Sequence, residues 1–186
     1  MGRFAEDVER WVEEGRIPRD GRPSGRRHRL TTTLALLWRH PGLGATALFR
    51  AAQWAHRHRV RGLPSVLERL TFLCFGLEVS SSMEVGPGLY LAHPSGSVLM
   101  ARRIGRNASF VHAVTLGMRN TYEFPELGDG VFVGAGARVL GGIRLGDGCA
   151  VGAGAVVVDD VAPGVTVVGV PARVAGPQHL RTERAG

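Results

Sequence analysis

The chain has 186 residues, 44% of them hydrophobic, and its formal net charge of +7 comes entirely from arginine because the sequence contains no lysine. This length and composition predict one substantial core with a smaller appendage. No apolar run is long enough for a membrane span and the N-terminus is charged where a signal peptide would be apolar, so we expect a cytoplasmic protein. Cys74 and Cys149 form no metal-binding spacing and are expected to be buried free thiols.

The first part of the chain, residues 1–78, is predicted to be a helical region. Apolar residues at helical spacing predict four helices, over residues 4–14, 30–39, 43–60 and 64–75. The second of these stops before Pro41, and the fourth begins with Pro64, a residue favoured in the first helical turn.

The charge excess also lies in this region, which holds 14 arginines against 8 acidic residues. Much of it comes from a Gly/Pro-rich stretch, residues 15–29. Such a stretch can attract nucleic acid or anionic membrane, but it has no interleaved aromatic residues and matches no recognisable binding module. We therefore interpret it as a solvated linker or loop and expect no nucleic-acid partner.

The second part of the chain has a six-residue period. An apolar residue occupies positions Val85, Leu91, Val98, Ile104, Phe110, Leu116, Leu127, Val133, Val139, Leu145, Val151 and Val157, and Gly often follows it. This period is typical of a β-helix, in which each repeat is one short strand and turn that buries its apolar residue by stacking on its neighbours. We predict a mainly β domain over residues 79–175 and a polar, flexible tail over 176–186.

The period also predicts which side chains stack. Three repeats make one triangular turn of about 18 residues, and equivalent positions in successive turns lie about 4.8 Å apart. His93 and His112 each follow an apolar position by two residues and lie one turn apart once an extra residue near Ser97 is counted. They should be vertical neighbours, with Ala135 and Ala153 continuing the column. This pattern indicates a pair of reactive histidines beside a narrow track formed by the two alanines. The alternative is that both histidines are ordinary surface residues.

The period is interrupted between Leu116 and Leu127, where eleven residues replace six. The inserted segment GMRNTYEFPE must bulge out of the coil. Loops extruded from a rigid solenoid often carry substrate contacts, and the alternative is a turn without function.

Several blocks resemble one known family. They are EVSSSMEVGPGLYLAHPSGSV, SFVHAVTLG, PELGDGVFVGAGARVLGGIRLGDGCAVGAGAVV and DDVAPGVTVVGVPARV, which together cover about residues 78–174. The chain resembles the hexapeptide-repeat acyltransferases, and within them the serine O-acetyltransferase branch. The resemblance implies a left-handed parallel β-helix, assembly into a homotrimer or a dimer of trimers, and acetyl-CoA or another acyl-CoA as co-substrate in the groove between subunits, with no metal.

The resemblance also implies roles for residues of the site. His93 corresponds to the family's general base, and Glu78 to the carboxylate fifteen residues upstream that orients it. A neutral imidazole that removes the proton of an attacking hydroxyl contributes roughly 10²- to 10⁴-fold to the rate. The family more often has glutamine at the position of His112, which is expected to contact the acceptor, with a part in catalysis as the alternative.

For the co-substrate, small residues would let the pantetheine arm approach the main chain, and an arginine would meet the phosphates. The expected contacts are Gly117, Ala135, Gly136, Ala153, Gly154 and Arg173. A backbone amide, that of Gly117, is expected to stabilise the oxyanion.

The sequence departs from the family where the acceptor binds. Ala92 replaces the aspartate before the base, and Glu123 and Phe124 replace the Arg-His pair before Pro125. We expect Glu123 and Phe124 to contact an acceptor other than free serine, such as a sugar or a specialised-metabolite or carrier-bound precursor. Serine O-acetyltransferase proper is the alternative function.

Two further classes of protein fit the sequence less well. A metal enzyme resembling the γ-type carbonic anhydrases needs three histidines across an interface, whereas the repeats hold only His93 and His112. A scaffold protein with a vestigial site is disfavoured because both Glu78 and His93 are retained.

Overall fold

The computed structural model describes residues 2–13 and 39–177. In these described residues three helices lie before the repeats: α1 (Arg3–Glu13), α2 (Pro41–Arg57) and α3 (Leu63–Phe75). Each of α2 and α3 has a proline in its first turn, and α3 ends at Gly76, whose φ of 63° closes the helix. The predicted stretch 15–29, all but the last residue of the predicted helix 30–39, and most of the predicted tail lie outside the described residues.

Fifteen strands follow in the described residues, and they form three sheets that the chain visits in rotation from β1 to β13, after which the last two strands both join sheet 3. Sheet 1 contains β1 (Leu77–Val79), β4 (Ser97–Leu99), β7 (Thr115–Gly117), β10 (Arg138–Leu140) and β13 (Val156–Val157). Sheet 2 contains β2 (Glu84–Val85), β5 (Arg103–Ile104), β8 (Glu126–Leu127) and β11 (Arg144–Leu145). Sheet 3 contains β3 (Tyr90–Leu91), β6 (Ser109–Phe110), β9 (Phe132–Val133), β12 (Ala150–Val151), β14 (Val165–Val168) and β15 (Arg173–Pro177).

The pairing is parallel throughout except between β14 and β15, which are antiparallel. This arrangement is the predicted left-handed β-helix of hexapeptide repeats, preceded by helices. We call its three edges the 1–2, 2–3 and 3–1 corners, after the sheets that each one joins.

The core is a stack of inward apolar side chains. All but one of the predicted positions are buried, and the exception is Val98. Leu99 takes that place, 1% exposed and paired with Val79 below and Leu116 above. Leu99 lies eight residues after Leu91 and five before Ile104, so the single extra residue that the prediction allowed at this corner was one too few.

The glycines that follow the apolar residues have a steric cause. A Cβ built on Gly105 would lie 2.5 Å from the carbonyl group of Gly128 in the turn above, and one built on Gly86 would lie 2.6 Å from the carbonyl oxygen of Gly105. Successive turns approach too closely here for any side chain.

A buried ion pair joins the helices to the coil. The Arg50 guanidinium on α2 donates to both carboxylate oxygens of Asp7 on α1, at 2.8 and 3.0 Å, and to the carbonyl oxygens of Val85 and Gly86. Asp7 also accepts the Leu89 N–H at 2.8 Å. These hydrogen bonds therefore satisfy two charges that are otherwise costly to bury.

Of the two cysteines, Cys149 is buried as expected but Cys74, on α3, is exposed. The helical pattern predicts that α3 has a buried face, yet it does not predict which of its residues the coil covers. None of the helices in the described part of the chain has the length and apolar character that a membrane crossing requires.

Candidate functional site

His93 and His112 lie at the 3–1 corner, one turn apart. Their turns are held together because Leu91 pairs with Phe110 and the His93 N–H donates to the Val111 carbonyl oxygen at 3.2 Å. The two imidazole centroids are 6.4 Å apart with the ring planes at 66°. Both side chains are exposed, so the corner presents two imidazoles to solvent as vertical neighbours.

Small residues continue the same column above His112. The Gly136 N–H donates to the His112 carbonyl oxygen and the Gly154 N–H to that of Ala135, each at 2.8 Å. Gly136 and Gly154 both have φ of 68°, and a Cβ built on either would meet nothing within 4 Å. The column that ends in Ala153 and Gly154 is thus an open track along which a slender chain can contact the main chain.

Glu78 lies in the turn below His93, near the same corner. It pairs with Val98 across sheet 1, and the Gly96 N–H donates to the Gly76 carbonyl oxygen at 2.9 Å, which ties the two turns together. No hydrogen bond or ion pair joins Glu78 to His93 in the described part of the chain. A cavity of about 390 Å³ beside Glu78 is lined by Arg69, Phe72 and Met100 among others.

Gly117 does not lie with this group. It ends β7, pairs with Leu140, and accepts the Gly141 N–H at 2.8 Å, which places it at the 1–2 corner. Within one chain the width of sheet 1 separates it from His93, because β7 runs from the 3–1 corner to the 1–2 corner.

Arg173, by contrast, lies at the upper end of the track. It follows Ala172, whose N–H donates to the carbonyl oxygen of Val156, the first residue of β13 after the 3–1 corner. Its guanidinium is 3.5 Å from Asp159, and the side chains are 69% and 73% exposed. The guanidinium also donates to the Ala172 carbonyl oxygen at 2.8 Å, and its exposure leaves its other N–H groups available to an anionic group at that end of the track.

The inserted loop, residues 118–125, leaves the coil at the 1–2 corner between β7 and β8. In this loop Glu123 accepts a hydrogen bond from the Thr121 hydroxyl at 3.1 Å, and Phe124 contacts the Tyr122 ring edge-on, with centroids 5.2 Å apart. Glu123 and Phe124 therefore lie on a different edge of the coil from His93.

Beside this loop the structure places charged residues that sequence reasoning missed. Arg102 and Arg144 flank the Glu126 carboxylate at 3.1 and 3.7 Å, and they line a cavity of about 320 Å³ with Glu123 and Phe124. A signal was present, because Glu126 and Arg144 occupy the same outward position in successive turns.

Sequence reasoning also missed an apolar wall beside the imidazoles. Ala92, directly before His93, packs against a buried cluster of Trp11, Leu43 and Tyr90. The ring centroids of Trp11 and Tyr90 lie 4.7 Å apart. Since Trp11 reaches the coil from α1, no periodicity of the repeats could predict this contact.

Residues 2–13 and 39–177 contain no cluster of three or more His, Cys, Asp or Glu side chains that could hold a metal ion.

Residues 124–159 match the family model described as bacterial transferase hexapeptide (six repeats). The serine acetyltransferase of Helicobacter pylori strain J99 is 36% identical over 138 residues, which cover 72% of this chain and 81% of that protein. The chain belongs to the serine acetyltransferase family. The predicted resemblance is confirmed.

Two further comparisons agree. The serine acetyltransferase of Synechococcus elongatus is 37% identical over 154 residues, or 81% of this chain. The solved structure of Neisseria gonorrhoeae serine acetyltransferase in complex with serine matches with a TM-score of 0.76 and 32% identity, over 94% of this chain and 68% of that one. The chain spans 63% and 65% of the length of the Synechococcus and Mycobacterium tuberculosis relatives.

These comparisons correct one expectation. The prediction of an acceptor other than free serine was wrong, because the similar proteins are serine acetyltransferases and the structure of one of them was solved with serine. The expectation assumed that Glu123 and Phe124 face an acceptor held beside His93. Within one chain they lie at a different corner of the coil from His93.

Proposed function

We propose that this chain is a serine O-acetyltransferase, which transfers the acetyl group of acetyl-CoA to the hydroxyl of free serine. The observation that carries the proposal is the exposed imidazole pair at the 3–1 corner, at the foot of an open track, in a chain whose relatives are serine acetyltransferases. An alcohol and a thioester both need access from solvent, and this corner offers it.

In the proposed reaction His93 is the general base. Its neutral imidazole takes the hydroxyl proton of serine as the oxygen attacks the thioester carbon. The tetrahedral intermediate then collapses, the carbon–sulfur bond breaks, and the proton passes from the imidazolium to the departing thiolate. The products are O-acetylserine and CoA, and His93 is neutral again.

Glu78 is proposed as a positioning residue that orients the His93 ring through the turn below it. The acetyl-CoA arm is proposed to follow Ala135, Gly136, Ala153 and Gly154, with Arg173 at its phosphate end. These roles are supported by a shared position on one edge of the coil.

Other parts of the sequence-based interpretation stay predictions. They are the homotrimer or dimer of trimers, the cytoplasmic location, the contact of Gly117 with the co-substrate, and the contact of Glu123 and Phe124 with the acceptor. The last two fit a site that a neighbouring copy completes, because these residues lie at the 1–2 corner.

The test is a steady-state assay of the purified chain with acetyl-CoA and serine, which follows the released thiol. The unaltered chain should acetylate serine. The variant His93→Ala should lose about 10²- to 10⁴-fold in kcat, with little change in the KM for acetyl-CoA, because only proton transfer is removed.

A matched control is His56→Ala, which removes an exposed imidazole from α2 and should leave the rate unchanged. If the unaltered chain consumes no serine, the proposed acceptor is wrong. If His93→Ala keeps full activity, the assignment of the base is wrong although the reaction stands.

A further inference from the structure

Several backbone donors of the 3–1 corner are already used by the coil. The N–H groups of Ala92, His93, Ala113 and Gly136 all donate to carbonyl oxygens of neighbouring turns, at 2.8 to 3.2 Å. A thioester carbonyl that turns into an oxyanion here needs hydrogen-bond donors that the coil does not already use. The sequence-based candidate, Gly117, lies at another corner of the same chain and would reach this thioester only from a neighbouring copy.

The imidazole of His112 is such a donor. It is exposed, it lies one turn above His93, and it makes no hydrogen bond to the described part of the chain. Within the proposed function, the acyl arm descends the track from Ala153 past Ala135, so the thioester reaches His112 before the acceptor oxygen reaches His93. The order of the column thus puts His112 beside the acyl group.

We propose that His112 is a second catalytic residue, whose neutral imidazole N–H donates a hydrogen bond to the thioester carbonyl oxygen. This inference rests on the proposed function and assigns His112 to the acyl group instead of the acceptor. As the serine oxygen attacks, the carbonyl oxygen gains negative charge and the hydrogen bond strengthens. When the intermediate collapses the charge returns to the carbonyl, so His112 itself gains and loses no proton.

The spacing suits a shared task. Ring centroids 6.4 Å apart allow each imidazole to place a nitrogen within about 3 Å of a different atom of one small reacting group. Neutral imidazole donors of this kind are known to polarise carbonyl groups.

Three substitutions of His112 distinguish a role as hydrogen-bond donor from a role in packing. His112→Ala removes the N–H, His112→Phe keeps a ring without a donor, and His112→Gln keeps an amide N–H. In the serine assay, the His112→Ala and His112→Phe variants should each have a kcat about 10²- to 10³-fold lower, with the KM for acetyl-CoA nearly unchanged. The His112→Gln variant should keep most of the activity, and the His56→Ala variant should match the unaltered chain.

Equal activity of all three variants and the unaltered chain would overturn the inference, and so would full activity of His112→Phe, since shape alone would then suffice. Retention of activity by His112→Ala would assign the oxyanion to main-chain N–H groups instead.

A binding measurement keeps this result separate from the proposed acceptor. The unreactive ketone analogue of acetyl-CoA, in which a methylene group replaces the sulfur, presents the same carbonyl without turnover. It should shift the NMR resonances of the His112 ring, assigned by their loss in His112→Gln, more than CoA does. If CoA and the ketone shift them equally, the inference fails whether or not the chain acetylates serine.

Discussion

The two thiols of the chain differ in what their surroundings allow. Cys149 is buried inside the coil, and burial raises the pKa of its thiol to about 11, with the negative charge of Asp147 acting in the same direction and a backbone hydrogen bond opposing them. Cys74 lies exposed on α3. Because the thiolate is the nucleophile, Cys149 is doubly protected at neutral pH by inaccessibility and by its protonated state.

We therefore expect iodoacetamide at about pH 8 to modify Cys74 alone in the native protein and both cysteines in concentrated guanidinium chloride. Intact mass spectrometry counts the adducts, and Cys74→Ser is the control that should take none while folded. Native modification of Cys149 would contradict the burial seen in the coil, and a native protein without any adduct would contradict the exposure of Cys74.

At the scale of residues, the sequence could predict the column of His93, His112, Ala135 and Ala153, because parallel stacking leaves little freedom once the period is known. It could not predict that Glu123 and Phe124 lie elsewhere. They are close in sequence to the turn of His112, but β7 carries the chain across sheet 1 before the loop begins, so sequence distance underestimates their separation.

At the scale of elements, the recurring glycines follow from the distance between turns. Replacing Gly105 by Ala should lower the free energy of unfolding by about 1–3 kcal/mol, because the new Cβ would lie 2.5 Å from the Gly128 carbonyl group and the turns must separate. Gly117→Ala is a matched control, since a Cβ there meets nothing within 4 Å, and its effect should stay within about 0.5 kcal/mol.

Thermal unfolding followed by circular dichroism measures both variants. Equal melting temperatures for Gly105→Ala and the unaltered chain would mean that the turns are not closely packed at this corner.

The elements also show where periodicity stops being informative. Val98 lies six residues before Ile104, yet Leu99 is the residue inside. The preceding corner ends at Ser97, whose hydroxyl accepts the Val114 N–H at 3.2 Å. Likewise β15 turns back antiparallel to β14, a reversal that no repeat specifies. Repeats predict the regular turns, whereas corners and ends depend on individual contacts.

At the scale of the whole molecule, the attachment of the helices to the coil depends on residues far apart in sequence. Asp7 and Arg50 are separated by 43 positions, and neither belongs to a recognisable motif. Their pairing could not be predicted from the sequence, because burial of both partners becomes favourable only after α1 and α2 have packed on the first turn. That packing brings Trp11 to the wall beside His93.

Asp7→Asn should therefore destabilise the protein strongly. The amide keeps the shape of the carboxylate but leaves the Arg50 guanidinium, 7% exposed, without its counter-charge, a loss of about 3–5 kcal/mol. Glu6→Gln is the matched control on the same helix, because its partner Arg106 is 58% exposed and such pairs contribute less than about 1 kcal/mol. Denaturant unfolding followed by tryptophan fluorescence compares the two. Similar midpoints for both variants would mean that the buried pair does not hold α1 against the coil, and the apolar wall beside His93 would then need another anchor.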